Sequence, residues 1–267
     1  MQEITEQIIM SELENQLSPS GINVYDYRFR LKPNIHATPF RTRNHQDIKG
    51  VCFHQTLGDG DVDSVHKYHI GDDNHFGKPL QSIAYTLFIC DNGDIVLCNA
   101  LQICPWSQGY NSREGDENKE FISIALQGNF KGEVHKSDNS PSIEQLLSSI
   151  IIWRVLKKMF NFQNNDLYGH YHFGKPACPG DSIKNLIESI RSKVDNKVGF
   201  NTRQKQYYLN ALGFVCAVDG IWGKNSKKAV KDFQISNGIT ADGIWGKNTN
   251  AAIIYSLKLE DIPYEKI

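Results

Sequence analysis

What this chain has little of narrows its reading first. Six cysteines in 267 residues (Cys52, Cys90, Cys98, Cys104, Cys178 and Cys216) are too few for a disulfide scaffold, and no pair is spaced Cys-x2-Cys. Cys52, Cys90 and Cys98 sit in apolar or strand-like runs and read as small buried thiols. No charge sign is in excess: 29 Lys plus Arg stand against 30 Asp plus Glu, a formal net charge of −1. That speaks against a chain-wide basic surface, so no nucleic-acid partner is expected. No apolar run reaches the roughly 20 residues of a membrane span, and no stable membrane association is expected. The first residues, Met-Gln-Glu-Ile-Thr-Glu-Gln-Ile-Ile-Met, have no basic flank and no uninterrupted apolar stretch. They do not read as a secretory signal, so synthesis in the cytoplasm is expected, with another exit route for any work outside it.

What is present describes a globular chain. Hydrophobic residues make up 40% and charged residues 22%, ordinary values for a sizeable core, and the length suits one large domain with a small one. Residues 3–17 place Ile4, Ile8, Ile9, Leu13 and Leu17 at helical spacing, which predicts a helix packed by its apolar stripe. Residues 18–48 are mixed, and Arg28, Arg30, Arg41 and Arg43 read as a solvated face. A strand-like run begins at Lys49 and ends near His54, just before Leu-Gly-Asp-Gly. A helix over 63–70 carries His66 and His69, which also read as solvated. Ser82 to Asn99 predicts a hairpin about Asp-Asn-Gly-Asp, with Tyr85 in its first strand. Phe121 to Phe130 is a further buried strand, and helices are predicted over 142–158 and 181–190. The polar stretch 191–200 reads as a linker.

Beyond it the chain repeats itself. Val-Asp-Gly-Ile-Trp-Gly-Lys-Asn-Ser at 218–226 returns as Ala-Asp-Gly-Ile-Trp-Gly-Lys-Asn-Thr at 241–249, a period of 23 residues. Each copy is a glycine-rich turn running into a helix that its Ser or Thr can cap. With a helix at 202–212 this makes a three-helix module. Trp222 and Trp245 are candidates to stack on a ligand or, equally, to fill the small core of their own turns.

Chemistry concentrates at 168–181, Tyr-Gly-His-Tyr-His-Phe-Gly-Lys-Pro-Ala-Cys-Pro-Gly-Asp. His170, His172 and Cys178 offer imidazole and thiolate, the donors zinc prefers. Cys178 follows His170 by eight positions, roughly 12 Å along a helix, so only a bent loop could bring both to one metal. His54, at a strand end, is the candidate third ligand, although a lone strand histidine can equally be structural.

A strand-end histidine, a strand tyrosine, the strand Ile-x-Ile-Ala-Leu-x-Gly-Asn-Phe and the loop Gly-His-x7-Cys-Pro-Gly occur in this order. Over about residues 48–190 the arrangement resembles the zinc-dependent N-acetylmuramoyl-L-alanine amidase family, which includes phage lysozyme-type amidases and peptidoglycan recognition proteins. The repeat module resembles the small peptidoglycan-binding domain of many wall hydrolases. The resemblance implies an α/β (α+β) chain: a central mixed β-sheet flanked by helices, then a small all-α three-helix domain. Its expected segments are an N-terminal helical extension (1–35), a catalytic domain (36–195) and a peptidoglycan-binding domain (196–267). It implies zinc held by His54, His170 and Cys178, and Tyr85 as the catalytic tyrosine. The implied partner is peptidoglycan, cut between N-acetylmuramic acid and the L-alanine of the stem peptide, and a monomer is expected. With no signal peptide, an endolysin that reaches the wall through membrane lesions fits better than a secreted autolysin.

Three positions depart from the family pattern. Related amidases often carry Lys or Thr two residues before the last ligand, where Pro176 stands here; Lys175, one residue earlier, is the candidate to stabilise the oxyanion in its place. Trp106 stands where many relatives have histidine, just before Gly-Tyr-Asn, making Trp106 and Asn111 candidates for substrate contact, with a half-buried loop anchor an equal reading of Trp106. Ala125 replaces a glutamate of some relatives, which leaves the zinc water, Tyr85 and at most His172 to act. The competing readings are a peptidoglycan-recognition protein that does not cut and a zinc peptidase acting within the stem peptide.

Overall fold

Six consecutive residues that all become buried organise the larger part of the molecule. The structure, a computed structural model, describes residues 5–108, 116–130, 141–191 and 202–256. The chain forms two units, Met1–Arg191 and Ser192–Ile267. In the first, strand β3 (Gly50–Gln55) is buried along its whole length, as a strand flanked on both edges and covered on both faces must be.

The six-stranded sheet has the order β1-β5-β4-β7-β3-β8. Its other members are β1 (Val24–Asp26), β4 (Leu87–Ile89), β5 (Ile95–Leu97), β7 (Phe121–Leu126) and β8 (Leu167–Gly169). β3 runs parallel to both β7 and β8, whereas β4 and β5 form the expected antiparallel hairpin. A separate two-stranded ribbon joins β2 (Arg41–Thr42) to β6 (Ile103–Cys104). Helices α1 (Glu6–Leu17), α2 (Val62–Ile70), α3 (Glu117–Glu120), α4 (Ile143–Phe160) and α5 (Asp181–Arg191) complete the unit. This is the mixed sheet with flanking helices that the sequence implies. α4 begins with a reciprocal cap between Ser142 and Gln145 and buries Trp153 and Leu156.

α1 packs on α4, as the apolar stripe of residues 3–17 predicts, and β1 joins the sheet beside β5. Three expectations are corrected. Tyr85 lies two residues before β4, not within it. Arg43 is not solvated. It is 4% exposed and its guanidinium donates to the carbonyls of Leu101, Asn118, Lys119 and Phe121 at 2.7–3.2 Å. Burial lowers its pKa to about 10, so it stays charged while tying β2 to the α3–β7 junction. His66 and His69 are likewise buried: His66 Nε2 meets the Lys32 carbonyl at 3.0 Å, and His69 Nδ1 accepts the Ala84 N–H at 3.0 Å. The spacing of three that looked like a helix face belongs to a helix covered by residues 27–40 and 80–85, a tertiary fact with no local signal. The linker predicted over 191–200 falls outside the described residues, save for Arg191 at the end of α5.

The second unit contains α6 (Thr202–Ala211), α7 (Lys224–Ser236) and α8 (Lys247–Ser256). A buried glutamine pins each repeated turn. Gln206 Nε2 donates to Asp219 Oδ1, the Ile221 carbonyl and Ser226 Oγ, while its Oε1 accepts the Gly220 N–H. Gln234 does the same with Asp242, Ile244, Thr249 and Gly243. Every polar atom of both amides is thereby satisfied in a dry setting, where an unmet one would be costly.

The neutral His69 makes acid stability measurable. Burial, then the charges of His75 and His66, lower its pKa to about 3. The unfolded chain takes up that proton near pH 6.5 but the folded chain only near pH 3. Stability is therefore whole above pH 6.5 and falls with decreasing pH between the two values, by up to about 1.4 kcal/mol per pH unit for this group. His69→Gln, compared with wild type by urea titration in chelator from pH 7 to pH 4, should lower stability at neutral pH yet flatten the slope by about one proton. An unchanged slope would show that His69 does not carry this dependence.

Candidate metal centre and active site

Two parallel strands deliver two of the donors. Val51 lies opposite Leu167, Cys52 opposite Tyr168 and Phe53 opposite Gly169, so one further step brings His54 beside His170. Their ring centroids are 4.6 Å apart at 62°, close to the ~4.8 Å that separates neighbouring strands. The third donor returns by the bent loop the spacing demanded. After a short 3-10 helix (His170–Phe173), the Lys175 N–H donates to the His170 carbonyl at 3.2 Å and the Cys178 N–H to the Lys175 carbonyl at 2.9 Å. The Tyr171 N–H then donates to the Cys178 carbonyl at 2.9 Å. The ligand atoms of His54, His170 and Cys178 all fall within 4.8 Å of one another, and no other such group of His, Cys, Asp or Glu exists among the described residues.

The chemistry of these donors fits a zinc ion. His54 is 1% exposed, and its Nε2 is buried with no hydrogen-bond partner, a state that calls for an electron-pair acceptor. Burial, then the neighbouring His170, holds the His54 pKa well down, and burial lowers that of His170 to about 4. Both imidazoles are therefore neutral, the form that ligates. His170 Nε2 meets the Gln108 carbonyl at 3.4 Å, a contact that favours a proton on Nε2 and would leave Nδ1 as the donor to a metal. Cys52, on the same face of β3 two residues before His54, has its thiol pushed well up by burial.

One residue the sequence did not single out braces the loop. Gln55, buried beside His54, donates from Nε2 to the Ala177 carbonyl at 2.7 Å and accepts the Phe130 N–H on Oε1 at 2.6 Å. It thus links the strand of one donor to the residue before another. Gly180 seats the same loop on Phe130: its φ is +94°, and a Cβ there would lie 2.5 Å from the Phe130 Cβ. A glutamine next to a strand histidine carries no pattern that distinguishes it from any polar residue, so only the fold shows its use.

The remaining candidates are placed unevenly. Tyr85 is buried with its ring 5.5 Å from that of His54, and Asn99 Nδ2 holds the Tyr85 carbonyl at 2.7 Å. Burial, then the nearby Cys178 and Cys52, raises the phenol's pKa, so it is a hydrogen-bond donor at neutral pH. Lys175 is exposed, and its charge contributes to lowering the pKa of both His170 and His75. His172 turns away, with Nδ1 against Gly169 and Nε2 3.8 Å from Glu188. Trp106 offers no open stacking face. It is 8% exposed, packs against Phe40 at 6.0 Å and carries Lys78 over its ring at 4.5 Å, so it acts as a loop anchor. Asn111 lies outside the described residues. In the second unit Trp222 and Trp245 meet edge to face at 6.1 Å, with Lys205 Nζ 5.6 Å from each ring.

Three clustered donors, two of them buried, beside a phenol are suited to holding a metal that activates water against a carbonyl. Residues 44–181, just over half of the chain, match the N-acetylmuramoyl-L-alanine amidase family, and the chain belongs to that family. It is a peptidoglycan hydrolase, and residues 198–253 match a peptidoglycan-binding domain. Similar solved structures include the endolysin N-acetylmuramoyl-L-alanine amidase LysCS from Clostridium intestinale, 19% identical over 62% of this chain and 93% of that one, with a TM-score of 0.45. Another is the Drosophila peptidoglycan recognition protein SD, 17% identical over 62% and 94% of the two chains, at 0.46. A third is the bumblebee peptidoglycan recognition protein SA, 15% identical over 62% and 94%, at 0.46. No curated protein matches the chain.

Gln55 can be tested apart from catalysis. Gln55→Glu keeps an acceptor for Phe130 but turns a carboxylate toward the Ala177 carbonyl. Zinc affinity measured by chelator competition should fall about 10- to 100-fold, the scale seen when groups that orient ligands are lost. The thiolate charge-transfer band of the cobalt-substituted protein should weaken with it. A lower melting temperature with unchanged metal affinity would reduce Gln55 to general packing.

Proposed function

We propose that His54, His170 and Cys178 hold the zinc ion with which this hydrolase cleaves the amide between the lactyl group of N-acetylmuramic acid and L-alanine. The observation that carries this is the convergence of three donor atoms within 4.8 Å, with the His54 Nε2 lone pair otherwise unmet. A zinc ion with three protein ligands keeps one position for water, lowers that water's pKa from ~16 toward ~7 and polarises a carbonyl.

The chain's own groups then divide the remaining work. His54, His170 and Cys178 would together hold the ion, with the Gln108 carbonyl against His170 Nε2. Hydrolysis adds water oxygen to the lactyl carbonyl carbon, breaks the C–N bond and leaves a proton on the L-alanine nitrogen. The Tyr85 hydroxyl donates to the oxygen on which negative charge develops. Lys175, exposed and mobile in χ space as lysines are, supplies a cation to the same charge. With Ala125 where some relatives have glutamate, no carboxylate from β7 assists. Tethering a wall-binding domain to this site raises the local concentration of its polymer, which suits a lytic role at the cell wall.

Isolated peptidoglycan incubated with the protein should release stem peptides that begin with free L-alanine, identified by mass. A chelator should stop release and added zinc should restore it. Chelator-insensitive release would sink the zinc assignment; binding without release would favour a recognition protein, and fragments cut inside the stem peptide would favour a peptidase.

Single substitutions separate the roles. Cys178→Ser should cost metal affinity and activity together. Tyr85→Phe should keep the metal and lower kcat by roughly 10²-fold, the scale of one lost oxyanion donor. Lys175→Ala should lower kcat about tenfold with metal affinity unchanged; equal turnover would remove Lys175 from the mechanism.

A further inference from the structure

α7 is charged in a way its own stability does not favour. Lys224, Lys227, Lys228 and Lys231 are all exposed and stand at i, i+3, i+4 and i+7, on one face of the helix. The opposite face buries Ala229, Val230 and Phe233. Neighbouring lysines meet at i,i+3 and i,i+4 all along this ridge, and like charges at those spacings destabilise a helix. One acid answers them, Asp232, which pairs with Lys228 at 2.5 Å. The first turn of α7 holds no acidic residue, so Lys224 and Lys227 also oppose the helix dipole.

The repeated turn does not require these lysines. Asp219, Gly220 and Ser226 recur as Asp242, Gly243 and Thr249, and each is bonded by Gln206 or Gln234. Twenty-three residues after Lys227, Lys228 and Lys231 stand Asn250, Ala251 and Ile254; only Lys224 has a counterpart, Lys247. Between residues 198 and 253 seven basic residues stand against three acidic ones, in a chain whose net charge is −1.

We propose that the lysine ridge of α7 is where the C-terminal domain holds peptidoglycan, and that it does so through free carboxylates of the stem peptides rather than through the glycan. This rests on the reading of the chain as a wall hydrolase. In uncut peptidoglycan the lactyl carboxyl is tied up in the amide, so the glycan is uncharged and the negative charge sits on the peptides. A lysine ammonium is a compact, strongly hydrated point charge that suits an accessible carboxylate. From Lys224 to Lys231 the ridge spans about 10 Å, long enough to engage two carboxylates. The second turn lies against it at Gly243, where a Cβ would come within 3.2 Å of the Lys227 carbonyl. Ile235, on the lysine face, is 62% exposed and offers apolar contact beside the charge. Holding the peptides keeps the enzyme on wall that still carries its substrate.

The test uses full-length protein, kept metal-free with a chelator so that it binds without cutting, and insoluble sacculi. Amidating the wall carboxylates should weaken binding roughly tenfold or more, the sum of several modest surface ion pairs. The variant Lys224→Gln, Lys227→Gln, Lys231→Gln should bind native sacculi as weakly, and raised salt should no longer matter to it. Its melting temperature should hold or rise as repulsion is relieved, which separates lost binding from unfolding. Undiminished binding by the variant or to amidated walls overturns the proposal, as does equally tight binding to peptide-free glycan. Cleavage of a soluble muropeptide by the metal-loaded wild type reports on the amidase reading separately.

Discussion

The site depends on the parallel register between β3 and β8. His54 and His170 come from segments more than a hundred residues apart, and strand pairing alone sets them side by side at a ring spacing of 4.6 Å. Side chains alternate along a strand, so a slip of one residue would send one histidine to the other face of the sheet. The pairing is held by close approach at its start: a Cβ on Gly50 would lie 2.2 Å from the Asp166 carbonyl oxygen. Any other residue there would push β8 away. Gln55 holds the other end by fastening Ala177, and with it the loop that returns Cys178.

A register so fixed creates a site whose donors are unmet in the protein alone. Burial keeps both histidines neutral, and His54 Nε2 has no partner among the described residues. Removing a buried polar atom from water without a partner costs about 1–3 kcal/mol, so a bound cation offsets a penalty already built into the fold. A cation bound there would stabilise this unit by mass action. The same dryness keeps the Tyr85 phenol protonated beside the site, as a donor rather than a second anion.

The sequence made the architecture and the three clustered donors legible where the signal is local or ordered. Alternation and apolar runs marked β3, β7 and the β4–β5 hairpin, helical periodicity marked α1 and α4, and self-similarity marked the twin turns. The order of histidine, tyrosine and the Gly-His…Cys-Pro-Gly loop pointed to three donors that the fold gathers within 4.8 Å. Its failures share one cause. Arg43, His66 and His69 looked solvated because polar residues usually are, yet each is buried against backbone carbonyls or amides supplied by distant segments. Trp106 stood open between a stacking surface and a loop anchor, and Phe40 and Lys78 pack against its ring. Gln55 was invisible because its partners, Ala177 and Phe130, are set by tertiary contact.

The C-terminal domain shows how a repeat divides structural from functional residues. Where the copies agree, each of Asp, Gly and Ser or Thr satisfies one atom of a buried glutamine. These side chains are engaged in closing the turn. The tryptophans agree as well, and they contact one another and Lys205. Positions at which the copies differ escape that constraint, so recognition can be added there without disturbing the turn. On α7 Lys227, Lys228 and Lys231 are such positions. Their mutual repulsion is a persistent cost to the helix, and a polymer bearing carboxylates is the partner that reverses its sign.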